Sequence, residues 1–222
     1  MQKSTDKKVA VILAGCGHLD GSEIHESVLT LLAICREGAS YDIFAPDKNQ
    51  YHVLNHLSGE EMTESRNVLV EAARIARGNI KPVTACKVEN YDAIFFPGGF
   101  GAAKNWFDFA LKGDASYEVE DEILALARAF KEAHKPAGYI CISPMMVPLI
   151  YDDEVKITIG TDLSVAQIVE SRGAIHEPKA VDEISIDEKH KVVTTPAYML
   201  GQNICEVATG IEKLVKVVLG MV

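Results

Sequence analysis

The apolar run Val9-Ala10-Val11-Ile12-Leu13-Ala14 passes without a polar interruption into Gly15 and Gly17. A strand with one wet face alternates polar and apolar side chains, whereas a strand covered on both faces does not. The run therefore predicts a central strand of a parallel sheet, and such a sheet needs helices on both faces. The rest of the chain supplies them. Asp20-Gly21-Ser22 offers a helix N-cap; Ile24, Val28, Leu31, Leu32 and Cys35 recur at helical spacing, and Gly38 is the stop.

Further strands are expected at 41–45, 92–96, 136–140 and 155–159, with helices at 65–77, 118–134, 162–172 and 204–219 and a short helix at 143–150 beginning on Pro144. Residues 184–186 and 192–195 flank Asp187-Glu188-Lys189-His190 as a hairpin. Residues 48–64 are polar and contain His52 and His56, which marks an insertion or lid. A chain of 222 residues with no repeat and no compositional break reads as one α/β domain spanning 1–222.

Charge and cysteine usage limit the function. A net charge of −10 without a long Lys/Arg run argues against nucleic acid and anionic membrane as partners. Met1 to Ala10 has neither a signal-peptide apolar region nor a spanning stretch, so a cytosolic location is expected. The five cysteines, Cys16, Cys35, Cys86, Cys141 and Cys205, are odd in number and never spaced CxxC, which fits reduced thiols rather than disulfides or a zinc ribbon. Cys35, Cys86 and Cys205 read as small buried hydrophobes. His52 and His56 are spaced i, i+4, but no third ligand stands at a metal-binding spacing, so no metal is expected.

Ligands of such sheets sit outside the carboxyl ends of the strands, where Cys16, Gly98-Gly99 and Cys141 all fall. Cys141 stands between a buried strand and a helix start, the arrangement of a nucleophile elbow, and a helix N-terminus there would favour its thiolate. Gly99 at the end of the neighbouring strand lets the backbone come close, so the N–H groups of Gly99 and Ile142 are candidates for an oxyanion hole. Glu23 and Glu26 share one face of the first helical turn and are both candidate acids or helix-dipole partners. His25 between them reads as structural. Cys16, Gly98 and Lys104 are candidates for the pocket lining, Lys104 as a cation steering an anionic substrate.

The motifs Gly15-Cys16-Gly17-His18-Leu19-Asp20-Gly21-Ser22-Glu23-Ile24-His25-Glu26, Phe44-Ala45-Pro46-Asp47, Ser65-Arg66-Asn67-Val68-Leu69, Phe96-Pro97-Gly98-Gly99-Phe100-Gly101-Ala102-Ala103-Lys104-Asn105 and Thr194-Thr195-Pro196-Ala197-Tyr198-Met199 together resemble the ElbB family over nearly the whole chain. That family is also described as isoprenoid biosynthesis protein with amidotransferase-like domain, within the PfpI-like superfamily. The resemblance implies a flavodoxin-like three-layer sandwich with a cysteine nucleophile elbow, a homodimer, and weak cofactor-independent glyoxalase activity on a small aldehyde. It also implies Cys141 as nucleophile and, counted back from Gly38, Glu26 as partner acid with Glu23 as alternative. Ile142 stands where many superfamily glyoxalases and proteases carry histidine, which argues against proteolysis. Residues 194–199 lack the late histidine and glutamate of glutamine amidotransferases, which argues against glutaminase activity. The competing reading is a thiol-based sensor or regulatory protein linked to isoprenoid metabolism, with Cys141 oxidised reversibly.

Overall fold

The computed structural model describes residues 6–151 and 154–222; the first five residues of the N-terminal segment considered above lie outside the described residues. The chain runs β1 (Lys8–Ile12), α1 (Ile24–Arg36), β2 (Ser40–Ala45), α2 (Val68–Ile75), β3 (Lys81–Pro82) and β4 (Ala93–Phe96). It continues through α3 (Ala102–Asn105), α4 (Phe109–Lys112), α5 (Asp121–Glu132), β5 (Ala137–Ile140) and α6 (Val147–Ile150). It ends with β6 (Lys156–Ile157), α7 (Leu163–Ser171), β7 (Ile175–His176), β8 (Ser185–Asp187), β9 (Val192–Thr195) and α8 (Ile204–Gly220).

The main sheet has the order β3-β2-β1-β4-β5-β9-β8, parallel throughout except that β8 runs against β9. This is the mostly parallel α/β sheet that the apolar strands require, and Val9, Ala10, Val11 and Ile12 are all fully buried. Right-handed crossovers decide the layers. The chain moves one way across the sheet from β1 through α1 to β2 and the other way from β4 through α5 to β5, so α1 and α5 cover opposite faces. The order reverses at β1 and β4. Their carboxyl ends therefore open a crevice of the kind in which α/β proteins bind ligands.

Four local expectations are corrected. The 155–159 strand is β6, which pairs with β7 in a separate two-stranded sheet rather than joining the main one. The first helix is capped by Glu23, whose Oε2 accepts the Glu26 N–H at 2.6 Å. Asp20 and Ser22 are engaged elsewhere: Asp20 accepts the Leu54 N–H and the Ser22 hydroxyl accepts the Ala14 N–H, which fastens the loop after β1. On α1 the buried side holds Glu26, Ser27, Thr30, Leu31, Ala33 and Ile34, while Ile24, Val28, Leu32 and Cys35 face outward. Polar burial is tolerated there because the Ser27 and Thr30 hydroxyls donate to the Glu23 and Glu26 carbonyls. Finally, Cys35 and Cys205 are exposed, so the reading as small buried hydrophobes fails for them, whereas the half-buried Cys86 packs against the core.

The insertion 48–64 folds against the loop after β1. His52 and His56 lie in it rather than on a helix, and the His56 Nε2 accepts the Leu19 N–H at 3.3 Å. Among the described residues no group of three or more His, Cys, Asp or Glu side chains is placed to hold a metal ion.

Candidate active site

The site is assembled where the loops after β1, β4, β5 and β9 meet. Cys141 follows β5 with φ +63°, the left-handed backbone that an elbow requires, and its N–H donates to the Thr195 carbonyl so that the ladder with β9 continues to the turn. The buried Ser143 hydroxyl pins the turn by accepting the Ile140 N–H and lying 2.7 Å from the Phe96 carbonyl. Glu26 comes from the first turn of α1 and is fully buried. Its Oε2 accepts the Gly98 N–H at 3.0 Å, its Oε1 accepts the Tyr198 N–H at 3.1 Å, and its carboxyl shares a hydrogen bond with the Cys141 thiol. Each carboxyl oxygen accepts one backbone N–H, and the Cys141 thiol is the titratable side chain hydrogen-bonded to it.

Burial pushes the Glu26 carboxyl up to about 8, the neighbouring Glu23 adds to the rise, and the hydrogen bonds from Tyr198, Cys141 and Gly98 oppose it. Burial, followed by the Glu26 charge, also holds the Cys141 thiol well above its ordinary value, against the Gly99 and Ile142 N–H groups that hydrogen-bond the sulfur. This corrects the expectation of a thiolate stabilised by a helix N-terminus. The segment after Cys141 is a 3-10 turn, Ser143–Met146, followed by the four-residue α6, and it supplies little axial dipole. At neutral pH the pair therefore retains two protons. One must leave before the sulfur becomes a nucleophile.

The two glycines expected beside the cysteine are both at the centre. A Cβ on Gly98 would lie 2.5 Å from the Cys141 Cβ and 2.8 Å from Glu26 Oε2, so any larger residue would wedge the pair apart. Gly99 has φ +117° and turns its N–H to the sulfur. Gly98→Ala is expected to lower thermal stability, an overpacking cost of about 1–3 kcal/mol, and to slow alkylation of Cys141 at least tenfold. Thermal melts together with mass spectrometry of the labelled chain check both effects.

A cavity of about 660 Å³ opens above Cys141, walled by Phe100, Phe109, Ile142, Val165 and Met199, with His18, Glu23, His25 and Tyr198 supplying its polar groups. Glu23 thus reaches the cavity, but its Oε2 is committed to the helix cap and Glu26 alone contacts the thiol. Gly98, Cys16 and Lys104 are not among these walls; Gly98 packs against Cys141 and Glu26 instead. The turns at Gly15 and Gly17, both with positive φ, carry the half-buried Cys16 toward Glu71 and Arg74, where burial and then the Glu71 charge raise its thiol. Lys104 donates to the Leu19 carbonyl at 3.0 Å and lies over the Phe100 ring. It ties two loops together.

His18, His25 and Tyr198 were not singled out as functional from the sequence. Tyr198 bears directly on the site, through its N–H to Glu26 and its hydroxyl 2.8 Å from His25 Nδ1. Their separation of 173 positions leaves no local signal that could have paired them.

Comparison with known proteins places this arrangement. No protein-family model matches the chain. A rat protein named ES1 protein homolog, mitochondrial, is 42% identical over 222 residues, spanning 96% of this chain and 83% of its own. The human glutamine amidotransferase-like class 1 domain-containing protein 3, mitochondrial, is 41% identical over 96% of this chain and 82% of its own. A crystal structure from Ehrlichia chaffeensis, described as an isoprenoid biosynthesis protein with amidotransferase-like domain, superposes with a TM-score of 0.90 at 36% identity, covering 97% of this chain and 99% of that one. The chain belongs to the ElbB family. A glyoxalase III from Candida albicans, 15% identical with a TM-score of 0.64 over 97% of this chain and 98% of that one, shares the flavodoxin-like fold. The cytosolic expectation is corrected by the relatives: the rat and human proteins, and a zebrafish ES1 protein 30% identical over 86% of this chain, are all named as mitochondrial.

Proposed function

We propose that this ElbB-family protein is a cofactor-independent glyoxalase-like enzyme that converts a 2-oxoaldehyde to the 2-hydroxy acid at Cys141. The supporting observation is the buried Glu26 carboxyl, pushed up to about 8 and hydrogen-bonded to the thiol at the floor of a cavity. In the singly protonated pair the sulfur adds to the aldehyde carbon while the one proton that it shares with Glu26 passes to the aldehyde oxygen, giving a hemithioacetal. Glu26, now a carboxylate, takes the carbon-bound proton to form an enediolate and returns it to the adjacent carbon, while the hydroxyl proton moves from the first oxygen to the second, which leaves a 2-hydroxy thioester. Water hydrolyses the thioester and regenerates the thiol. One carbon is oxidised and its neighbour reduced, so every step balances with water as the only co-reactant. The Gly99 and Ile142 N–H groups hydrogen-bond the sulfur, and in the adduct they would stabilise the developing oxyanion.

The test is conversion of glyoxal to glycolate by native protein and Cys141→Ala. Turnover that disappears in the variant is the expected result. A Cys141 adduct without turnover would replace this reading by the thiol-sensor one. Because the pair must shed a proton, turnover is expected to rise roughly tenfold per pH unit and to level off above about 8; a profile flat from pH 6 to 9 would contradict the shared-proton chemistry.

A homodimer belongs to the same proposal, supported by the outward stripe of Ile24, Val28 and Leu32 on α1. Light scattering at micromolar concentration should give twice the chain mass of 24.2 kDa, and a mass near 24.2 kDa would remove it.

A further inference from the structure

The cavity is much larger than the smallest substrates the chemistry could use. Glyoxal and methylglyoxal are fragments, whereas pockets of roughly 300–1,000 Å³ enclose drug-sized molecules. The space above Cys141 measures about 660 Å³. Its walls are also mostly apolar. Phe100 follows β4, Phe109 begins α4, Val165 lies on α7 and Met199 follows β9, so four separate segments contribute apolar side chains to one space. The polar groups are His18 from the loop after β1, Glu23 and His25 from the start of α1, and Tyr198 beside Met199. An apolar wall in a water-filled cleft is stabilised when a ligand covers it, and each buried methylene contributes roughly fourfold in binding.

We infer that the site is built for 2-oxoaldehydes carrying an aryl or extended alkyl substituent, with the aldehyde carbon at Cys141 and the substituent against Phe100, Phe109, Val165 and Met199. The inference rests on the glyoxalase reading for the word substrate, and on the cavity alone for the ligand class. Small aldehydes fill only the floor and leave these walls wet, so they are poor substrates. A phenyl group in place of hydrogen reaches the walls and raises kcat/KM by roughly tenfold or more, the scale on which hydrophobic pockets discriminate.

Two measurements test it, one with turnover and one without. Native protein and Cys141→Ala are given glyoxal, methylglyoxal, phenylglyoxal and hexylglyoxal, and the 2-hydroxy acids are quantified. The expected result is a Cys141-dependent kcat/KM at least tenfold higher for the phenyl and hexyl compounds than for glyoxal. In Val165→Asp, which puts a charge on the half-buried wall, that ratio falls at least tenfold. Separately, Cys141 alkylation by N-benzyl-2-iodoacetamide is compared with alkylation by iodoacetamide, using the exposed Cys205 in the same chain and free N-acetylcysteine as references for intrinsic reactivity. A benzyl preference at Cys141 at least fivefold above that at the two references supports the inference. Equal selectivity at all three thiols, or a glyoxal rate matching the phenylglyoxal rate, overturns it. A benzyl preference without turnover of any aldehyde keeps the ligand class and overturns the glyoxalase reading alone.

Discussion

Glu26→Gln is expected to reduce aldehyde turnover by roughly 100- to 10,000-fold, the range that a positioned acid–base group contributes. The fold should survive, because glutamine has the same shape and its oxygen can still accept from Gly98 or Tyr198, the two N–H groups that hold the carboxyl now. Only proton transfer is lost, so Cys141 should still alkylate, and removal of the Glu26 charge should bring its thiol down from its raised value. Glu23→Gln makes the contrasting case. The variant keeps an oxygen to accept the Glu26 N–H, so the α1 cap remains, but it removes the charge that is the second cause of the raised Glu26 carboxyl. The rate plateau should therefore persist while the pH midpoint moves below about 8. Steady-state rates from pH 5 to 9 for both variants check the assignment. If Glu23→Gln is the damaging change and Glu26→Gln keeps its rate, Glu23 is the acid and the contact between Glu26 and the thiol is structural.

The framework of the molecule was legible because strands buried on both faces write continuous apolar runs. β1, β4 and β5 were placed by such runs, and Cys141 and Gly98-Gly99 followed as whatever stands at their carboxyl ends. The side-chain orientation of α1 was not legible, because Ile24, Val28 and Leu32 form a regular stripe that periodicity assigns to the core, yet the sheet is covered by the opposite side. A helix that buries a functional carboxylate must turn polar residues inward, and its apolar pattern then points elsewhere. Cys16 failed for a different reason. Its position at the end of β1 was right, but two positive-φ glycines decide where its side chain goes, and spacing alone does not encode that rotation. β3, a two-residue edge strand containing Pro82, lacks any run long enough to announce itself. The Tyr198 contacts are long-range and close only when β9 lies beside β5.

The burial that tunes Glu26 should also appear in the stability of the whole protein. A free glutamate ionises near pH 4.3, whereas the native Glu26 holds its proton to about 8. Between those values the native state binds a proton that the unfolded state has released, so unfolding free energy falls as pH rises. The contribution is fully present below about pH 4, declines across the window, and is gone above about pH 8. At about 1.4 kcal/mol for each pH unit between the two ionisation points, the loss over this span is up to ~5 kcal/mol, a large share of the stability of a domain. Asp42, beside Lys8 and Tyr91, and Asp187, which accepts the Lys156 and His190 N–H groups, are held below their ordinary values and act in the opposite sense, weakening the fold only as pH falls toward 3. The difference between native protein and Glu26→Gln cancels those groups. At pH 5 the variant should be the less stable, since its amide nitrogen faces one of the two backbone donors. At pH 9 it should be the more stable, because the native protein must then hold a buried carboxylate. Urea unfolding at pH 5, 7 and 9 should show the two stabilities crossing. A constant difference across that range would mean that Glu26 ionises near its ordinary value, and the shared proton on which the chemistry depends would not exist.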